Sequence, residues 1–510
     1  MTSHPAPGAV RARSPAVSPW LLDLASVAAG ACQVLAFAPF AWRPFSVAGM
    51  AALLLLWRLS APARAAWRGL LAGLGLFGCG VYWVYNSLHD FGAAPAPVAA
   101  VGTAGLVLIL ALFTAALGWL SSSLQRRGLG LAPLALLGFP GLLTLLEWGR
   151  EQVLGGFPWL APAYALLDTP LAGWAAVAGP AGLNLIAGLL AGALLLTLIA
   201  DNRRRLLALT LVAGLLAGGL ALQQPQWTRP TGPPMQIALV QGNVAQDLKW
   251  RPEWRRRTLE TYAELTRSAP PVRLLLWPET AVPAYLDLLA DYTRPLAELV
   301  AARGGVLLLG APTRDQGGRS YNSLVLLGPQ VQAYHKRHLV PFGEFIPMRG
   351  LVERLGGLVQ IPMSDFSAGA AKQPLLRAGG VALGASICFE VAFADEVRRA
   401  LPAAELLVNV SNDAWFGDSL APHQHLEMAR LRALESGRYL LRATNTGISA
   451  VIAPDGSLRE RSAQFTRAVL SAQVEPRSGA TPFVRWGQWP ALALGLLLLM
   501  VASFMVSRRR

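Results

Sequence analysis

Acidic side chains are scarce in this chain, and cysteines are scarcer. Of its 510 residues only 29 are Asp or Glu and three are Cys, and charged residues together make up 14%, against roughly 25% in ordinary globular usage. Cys32, Cys79 and Cys388 show no paired spacing, and the first two fall inside apolar runs. That excludes a disulfide framework or a zinc site as the basis of the fold. A wholly solvated surface is hard to build from so few charges, while 54% of the residues are hydrophobic and the mean hydropathy is +0.42. The composition is that of a membrane protein.

The apolar residues are unevenly spread, dense before residue 222 and after 487, while the middle holds most of the acids. Two regions therefore face different solvents. The net charge of +15 does not point to nucleic acid, because the arginines cluster at the ends of apolar runs rather than along one amphipathic face. Residues 1–18, rich in Pro, Ala, Ser and Arg, read as a disordered leader. Ala36-Phe37-Ala38 would pass as a signal-peptidase site, but the run is long for a cleavable signal and further spans follow at once.

A helix needs about 20 apolar residues to cross a bilayer, and runs near 20–40, 45–60, 67–86, 97–120, 131–149, 170–200, 205–222 and 487–507 meet or approach that length. The second is short, and Gly179-Pro180 interrupts the sixth. Eight spans divide the chain into a seven-span domain (19–222), a block outside the membrane (223–486), and a last helix with a basic tail (487–510). With the N-terminus cytoplasmic, Arg11, Arg13, Arg58, Arg64, Arg68, Arg126, Arg127, Arg203, Arg204, Arg205, Arg508, Arg509 and Arg510 lie inside, and only Arg43 and Arg150 occupy short outer loops. That asymmetry satisfies the positive-inside rule. The expected arrangement has both termini cytoplasmic and the 223–486 block outside the membrane; in a bacterium that means the inner membrane, with the block in the periplasm.

Within that block, short β-rich runs at Ile237–Val240, Arg273–Trp277, Val306–Leu309, Ser323–Leu327, Val381–Ile387, Leu406–Val410 and Ile448–Ile452 alternate with helical patterns near 252–267, 285–303, 392–400 and 422–438. The alternation predicts a layered α/β domain. Trp277-Pro278-Glu279-Thr280 sets a carboxylate past a buried strand end, where partial desolvation suits a general base. Lys336 follows a strand within Tyr334-His335-Lys336-Arg337-His338. Cys388 ends the run from Val381, where a thiol can be held rigid beside backbone N–H groups. The three are 57 and 52 residues apart, each at the carboxyl end of a strand, the edge where open α/β sheets collect their active sites.

These positions, with Pro341-Phe342-Gly343-Glu344, Ser411-Asn412-Asp413-Ala414-Trp415-Phe416-Gly417 and the eight-span frame, resemble the nitrilase superfamily and its membrane-bound branch, the apolipoprotein N-acyltransferases. The resemblance covers nearly all of the chain. It implies an αββα sandwich outside the membrane, with Cys388 as nucleophile, Glu279 as general base and acid, and Lys336 as the cation on the tetrahedral intermediate. Glu344 and Glu390 fall on further carboxylates that support the site, and Trp250 on an aromatic near the acyl-donor entrance. Phe389 stands where members often have tyrosine, so a role for that hydroxyl is in doubt, while its N–H remains an expected oxyanion donor.

The implied reaction moves a fatty acyl group from a phospholipid, phosphatidylethanolamine by expectation, through a Cys388 thioester to the α-amine of a diacylglyceryl-cysteine lipoprotein, the last step of lipoprotein maturation. A monomer without cofactor is expected. At about 0.8 kcal/mol per CH₂, drawing an acyl chain of some fourteen methylenes into water costs on the order of 11 kcal/mol. The catalytic block must therefore sit against the bilayer, with Gly155-Gly156-Phe157-Pro158-Trp159 or the Gly356–Ala370 segment sheltering the chain. His423 and His425, two apart on a helix near Glu427, do not share a face, so no metal is expected. Two other readings use the same residues. One is a membrane-anchored amidase or nitrilase with water as acceptor; the other is a transporter or receptor, which the low intramembrane charge, Asp23 apart, disfavours.

Overall fold

The computed structural model describes residues 18–345 and 365–508. The leader through residue 17, Arg509, Arg510 and the 356–364 part of the expected shelter lie outside the described residues. Long helices occupy the expected runs: Pro19–Gln33, Pro44–Arg58, Pro62–Gly80, Ala96–Arg126, Phe139–Gln152, Ala175–Ile199, Asn202–Leu222 and Trp489–Ser507. Proline opens three of the first four at the position where its missing N–H costs nothing. By length and composition six described helices can cross a membrane, or seven if Pro62–Gly80 and Trp83–Phe91, bent by 52°, form one span. Pro44–Arg58 has only 15 residues, and eight of them are buried against other helices. The expected interruption at Gly179-Pro180 is present as a kink, with Gly179 at φ 59°.

Small residues set the helix spacing, as they do where lipid supplies no hydrophobic drive between helices. A Cβ on Gly30 would fall 1.9 Å from the Ala72 carbonyl oxygen, and one on Gly73 2.5 Å from Ala111 Cα. Leu112, Leu198, Leu206 and Phe504 are left on the outside. Asp23, the expected exception in the first span, is neutralised by Arg64 and by Arg68 Nε at 3.2 Å.

The 223–486 block builds two six-stranded sheets. The first runs, in spatial order, Ala468–Val474, Met235–Gln241, Leu274–Leu276, Val306–Arg314, Ser320–Leu327 and Gln332–His335; the second runs Leu458–Arg461, Ala450–Ile452, Leu440–Thr444, Leu406–Ser411, Val381–Ile387 and Leu376–Ala378. The central three strands of each are parallel. Side chains alternate across a strand, and here they divide two cores. Ile237, Leu239, Leu274 and Leu276 face Leu383, Ile387, Val408 and Val410 between the sheets. Ala238, Val240, Leu275 and Trp277 face outward against helices Pro252–Ser268 and Ala290–Ala302. The outer face of the second sheet, through Leu407, Leu440 and Ala450, packs on helix Ala421–Ser436, whose Leu426 and Met428 share one core with Trp159, Leu160 and Tyr164 of the membrane part. The fold is therefore a nitrilase-like sandwich of two sheets between helices, joined to a helical membrane part.

Candidate active site

The strand ends bring the three expected residues together. Glu279 leaves Leu274–Leu276, Lys336 follows Gln332–His335, and Cys388 follows Val381–Ile387. Lys336 Nζ lies 3.4 Å from Glu279 Oε1 and 2.8 Å from Glu344 Oε2. Burial alone would lower the Lys336 ammonium, but Glu344 and then Glu279 outweigh it and hold its pKa above the usual lysine range. Cys388 keeps a partly exposed surface, yet it sits in the field of both partners. Burial pushes its thiol up to about 12, the Glu279 carboxylate adds to the shift, and Lys336 opposes it. At rest the sulfur is a thiol, so a base must take its proton in the reaction.

Cys388 has φ 52°, a left-handed backbone that a non-glycine residue adopts at a cost of about 1–3 kcal/mol. Thr280, beside Glu279, has φ 48°. Cys388 directly follows its buried strand, and Glu279 stands three residues past Leu276.

Glu344 and Glu390 have distinct partners. Glu344 accepts from Asn322 Nδ2 at 2.8 Å and from the Val340 N–H at 2.9 Å. Glu390 is fully buried and accepts from Ile387 N at 2.7 Å, Arg337 N at 2.7 Å and the Tyr334 hydroxyl at 3.0 Å. It thus ties the loop after Lys336 to the turn of Cys388. Burial raises its pKa, with those backbone N–H groups opposing. Trp250 is half-buried, next to Lys249, whose Nζ lies 3.5 Å from the Glu279 carbonyl oxygen. Burial pushes Lys249 down to about 8 against the pull of Glu279.

One residue at the site, Asn322, is marked by no motif in the sequence. Asn322 Nδ2 donates to Glu279 Oε1 at 2.7 Å as well as to Glu344, bridging the two carboxylates. The Asn412 N–H donates to Glu279 Oε2 at 2.8 Å. His425 does not pair with His423: its Nδ1 lies 3.1 Å from Asp413 Oδ1, while Glu427 receives Arg43 Nη1 at 2.6 Å. Among the described residues no group of three His, Cys, Asp or Glu is arranged to hold a metal.

The membrane part supplies an aromatic wall. Phe389 has Trp159 stacked at 6.4 Å and Phe157 at 6.3 Å between ring centroids, and Trp83 lies 4.7 Å from Phe416. Arg150, buried, holds the carbonyls of Phe157 and Trp159, and Trp159 Nε1 donates to Gln424 Oε1 at 2.6 Å. The expected Gly155–Trp159 loop thus packs beside the residue that follows Cys388. Phe389, without a hydroxyl, packs through its ring alone.

Two family models match the chain: carbon-nitrogen hydrolase over residues 236–482, and the apolipoprotein N-acyltransferase N-terminal domain over residues 29–193. Apolipoprotein N-acyltransferase of Methylococcus capsulatus is 43% identical over 92% of this chain and 94% of its own length. That of Azotobacter vinelandii is 43% identical over 94% of each, and that of Nitrosomonas europaea 41% identical over 96% and 98%. A solved carbon-nitrogen hydrolase from Helicobacter pylori G27 is 18% identical, with a TM-score of 0.37 over 51% of this chain and 94% of that one, too distant to carry weight. Strand-end acid, amine and thiol under an aromatic wall, and relatives this close over almost the whole length, lead to one assignment: the chain belongs to the apolipoprotein N-acyltransferase family.

Proposed function

We propose that this enzyme transfers a fatty acyl group from a phospholipid to the α-amine of a diacylglyceryl-cysteine lipoprotein, by a ping-pong route through a Cys388 thioester. The observation that carries the route is the buried contact of Lys336 with Glu279 at 3.4 Å, with Cys388 within the field of both. Glu279 takes the Cys388 proton as sulfur attacks the ester carbonyl. The oxyanion is met by the Lys336 ammonium and the Phe389 N–H. The C–O bond breaks, Glu279 protonates the departing lysophospholipid oxygen, and a thioester remains. The lipoprotein amine then attacks and Glu279 receives its proton; as the C–S bond breaks, Glu279 returns that proton to the leaving sulfur, which restores the thiol and the carboxylate.

Water is a poor competitor where Trp83, Phe157, Trp159, Phe389 and Phe416 wall the site, which disfavours the hydrolase reading. Phosphatidylethanolamine is our expected donor, and the working unit is one chain. The domain division is 19–222 and 487–510 in the inner membrane and 223–486 in the periplasm, with both termini cytoplasmic. Eight crossings follow if Pro62–Gly80 with Trp83–Phe91 forms one span and Pro44–Arg58, sheltered by its neighbours, spans with its 15 residues. The arginine asymmetry supports that orientation.

The test is reconstitution with phosphatidylethanolamine and a synthetic peptide bearing an S-diacylglyceryl N-terminal cysteine. The intact protein N-acylates the peptide, and Cys388→Ala, Glu279→Ala and Lys336→Ala do not. Acylation by Cys388→Ala at the intact rate would refute the route.

A further inference from the structure

The triad accounts for the thiol of Cys388 but not for its carbonyl. That oxygen faces His425 Nε2 at 3.2 Å and Asn409 Nδ2 at 3.4 Å. His425 stands on helix Ala421–Ser436 and is 1% exposed. Its other nitrogen, Nδ1, lies 3.1 Å from Asp413 Oδ1 and 3.0 Å from Arg442 Nη2. Arg442 Nη2 also reaches Asp413 Oδ2 at 2.8 Å, its Nη1 donates to Asn409 Oδ1, and Ser411 Oγ donates to Asp413 Oδ1 at 2.7 Å. Asn409, Ser411, Asp413 and Arg442 are all at most 2% exposed. Two strands, a turn and a helix thus enclose one carbonyl group.

A carbonyl oxygen only accepts, so Nε2 carries a proton. Nδ1 faces both the Arg442 guanidinium, which only donates, and the Asp413 carboxylate, which only accepts. Burial, and then the Arg442 charge, hold the His425 pKa below the usual range against the pull of Asp413, in accord with a neutral ring.

The Cys388 carbonyl and the Phe389 N–H belong to one planar trans peptide, so they point in opposite directions. Whatever grips the carbonyl aims the N–H. We propose that His425 is a positioning residue that, with Asn409, orients the Cys388–Phe389 peptide so that its N–H meets the oxyanion. The inference rests on Cys388 being the nucleophile.

The experiment compares His425→Ala, His425→Gln and His425→Asn in full-length protein. Two rates are read: acylation of Cys388 by phosphatidylethanolamine vesicles, and alkylation of Cys388 by iodoacetamide, a displacement at carbon that builds no oxyanion. A glutamine amide N–H can take the place of Nε2–H, and an asparagine falls short of it. The Ala and Asn variants acylate about tenfold to a hundredfold more slowly, alkylate within about threefold of the parent, and Gln restores most of the acylation. Equal slowing in Gln and Asn, parental acylation in both, or alkylation that falls in step with acylation would overturn the proposal. The Gln and Asn pair decides the matter even where the Ala variant fails to fold. Cys388→Ala is run alongside: if it still transfers acyl groups, the nucleophile assignment is what fails, and if it is dead while both His425 variants behave as parent, the positioning role alone fails.

Discussion

Asn412 donates its backbone N–H to Glu279 Oε2 across 2.8 Å, and so joins the carboxyl ends of a strand from each sheet. Glu279 Oε1 meanwhile receives Asn322 Nδ2 and Lys336 Nζ. Every neighbour donates, so the carboxylate is held in place as an acceptor. A glutamine here would turn an N–H against donors. Glu279→Gln is expected to slow acylation of Cys388 by about 10²–10⁴, followed by single-turnover acyl-enzyme formation. A loss of less than about threefold would remove Glu279 from the role of base.

The same variant should have the opposite effect on a reaction that needs no base. Glu279 is the second cause, after burial, of a thiol pushed up to about 12, and Lys336 opposes both. Removing the carboxylate lowers the thiol, so at a given pH Glu279→Gln alkylates faster with iodoacetamide than the parent. In the parent, alkylation rises with pH and shows no plateau over roughly pH 6 to 9. A plateau near neutrality would mean a resting thiolate, contrary to the proposed proton transfer.

Lys336 is the buried countercharge of two carboxylates, at 2.8 Å from Glu344 and 3.4 Å from Glu279. Lys336→Met leaves both uncompensated, a loss of about 3–5 kcal/mol visible as a lower Tm in detergent, together with loss of acylation. An unchanged Tm would show that the carboxylates do not depend on the amine.

Asn322 bridges Glu279 and Glu344 with a single Nδ2 at 2.7 and 2.8 Å. Asn322→Ala removes both bonds, at about 1–3 kcal/mol, and Asn322→Asp sets a third carboxylate between the two. The ordering is the test: Asp is more damaging than Ala to both Tm and acylation. The reverse ordering would contradict the bridge.

Trp159 joins the membrane part to the catalytic block by its bond to Gln424 and its stack on Phe389. Trp159→Ala should cost about 3–5 kcal/mol, as other large buried truncations do, and raise the KM for phospholipid more than it lowers the rate with bound donor. An unchanged KM would detach the aromatic wall from donor binding.

Much of this architecture is legible in the sequence. The long helices follow apolar runs, and Val381–Ile387 has the bounds its β-branched and apolar residues suggest. Glu279, Lys336 and Cys388 stand out in the sequence because each follows an apolar strand. Leu440–Thr444 does not read as a strand because Arg442 sits at its centre, fully buried, its charge met by Asp413 from outside the strand. Asn322 was hidden for the same reason: a polar residue inside a strand shows its purpose only once its partners from distant elements are in place. The left-handed turn at Cys388 leaves no trace in composition, since it is imposed by the surrounding packing. One unread signal was present. The chain has only three lysines among its 44 basic residues, and two of them, Lys249 and Lys336, are buried against Glu279.

Mass spectrometry of the Cys388 peptide tests the central claim most directly. After incubation with phosphatidylethanolamine, the protein should carry one fatty acyl group on Cys388, labile to hydroxylamine as a thioester is, and addition of the diacylated peptide should discharge it with matching N-acylation. Steady transfer with Cys388 unacylated throughout, or an acyl group found on another residue, would contradict the account.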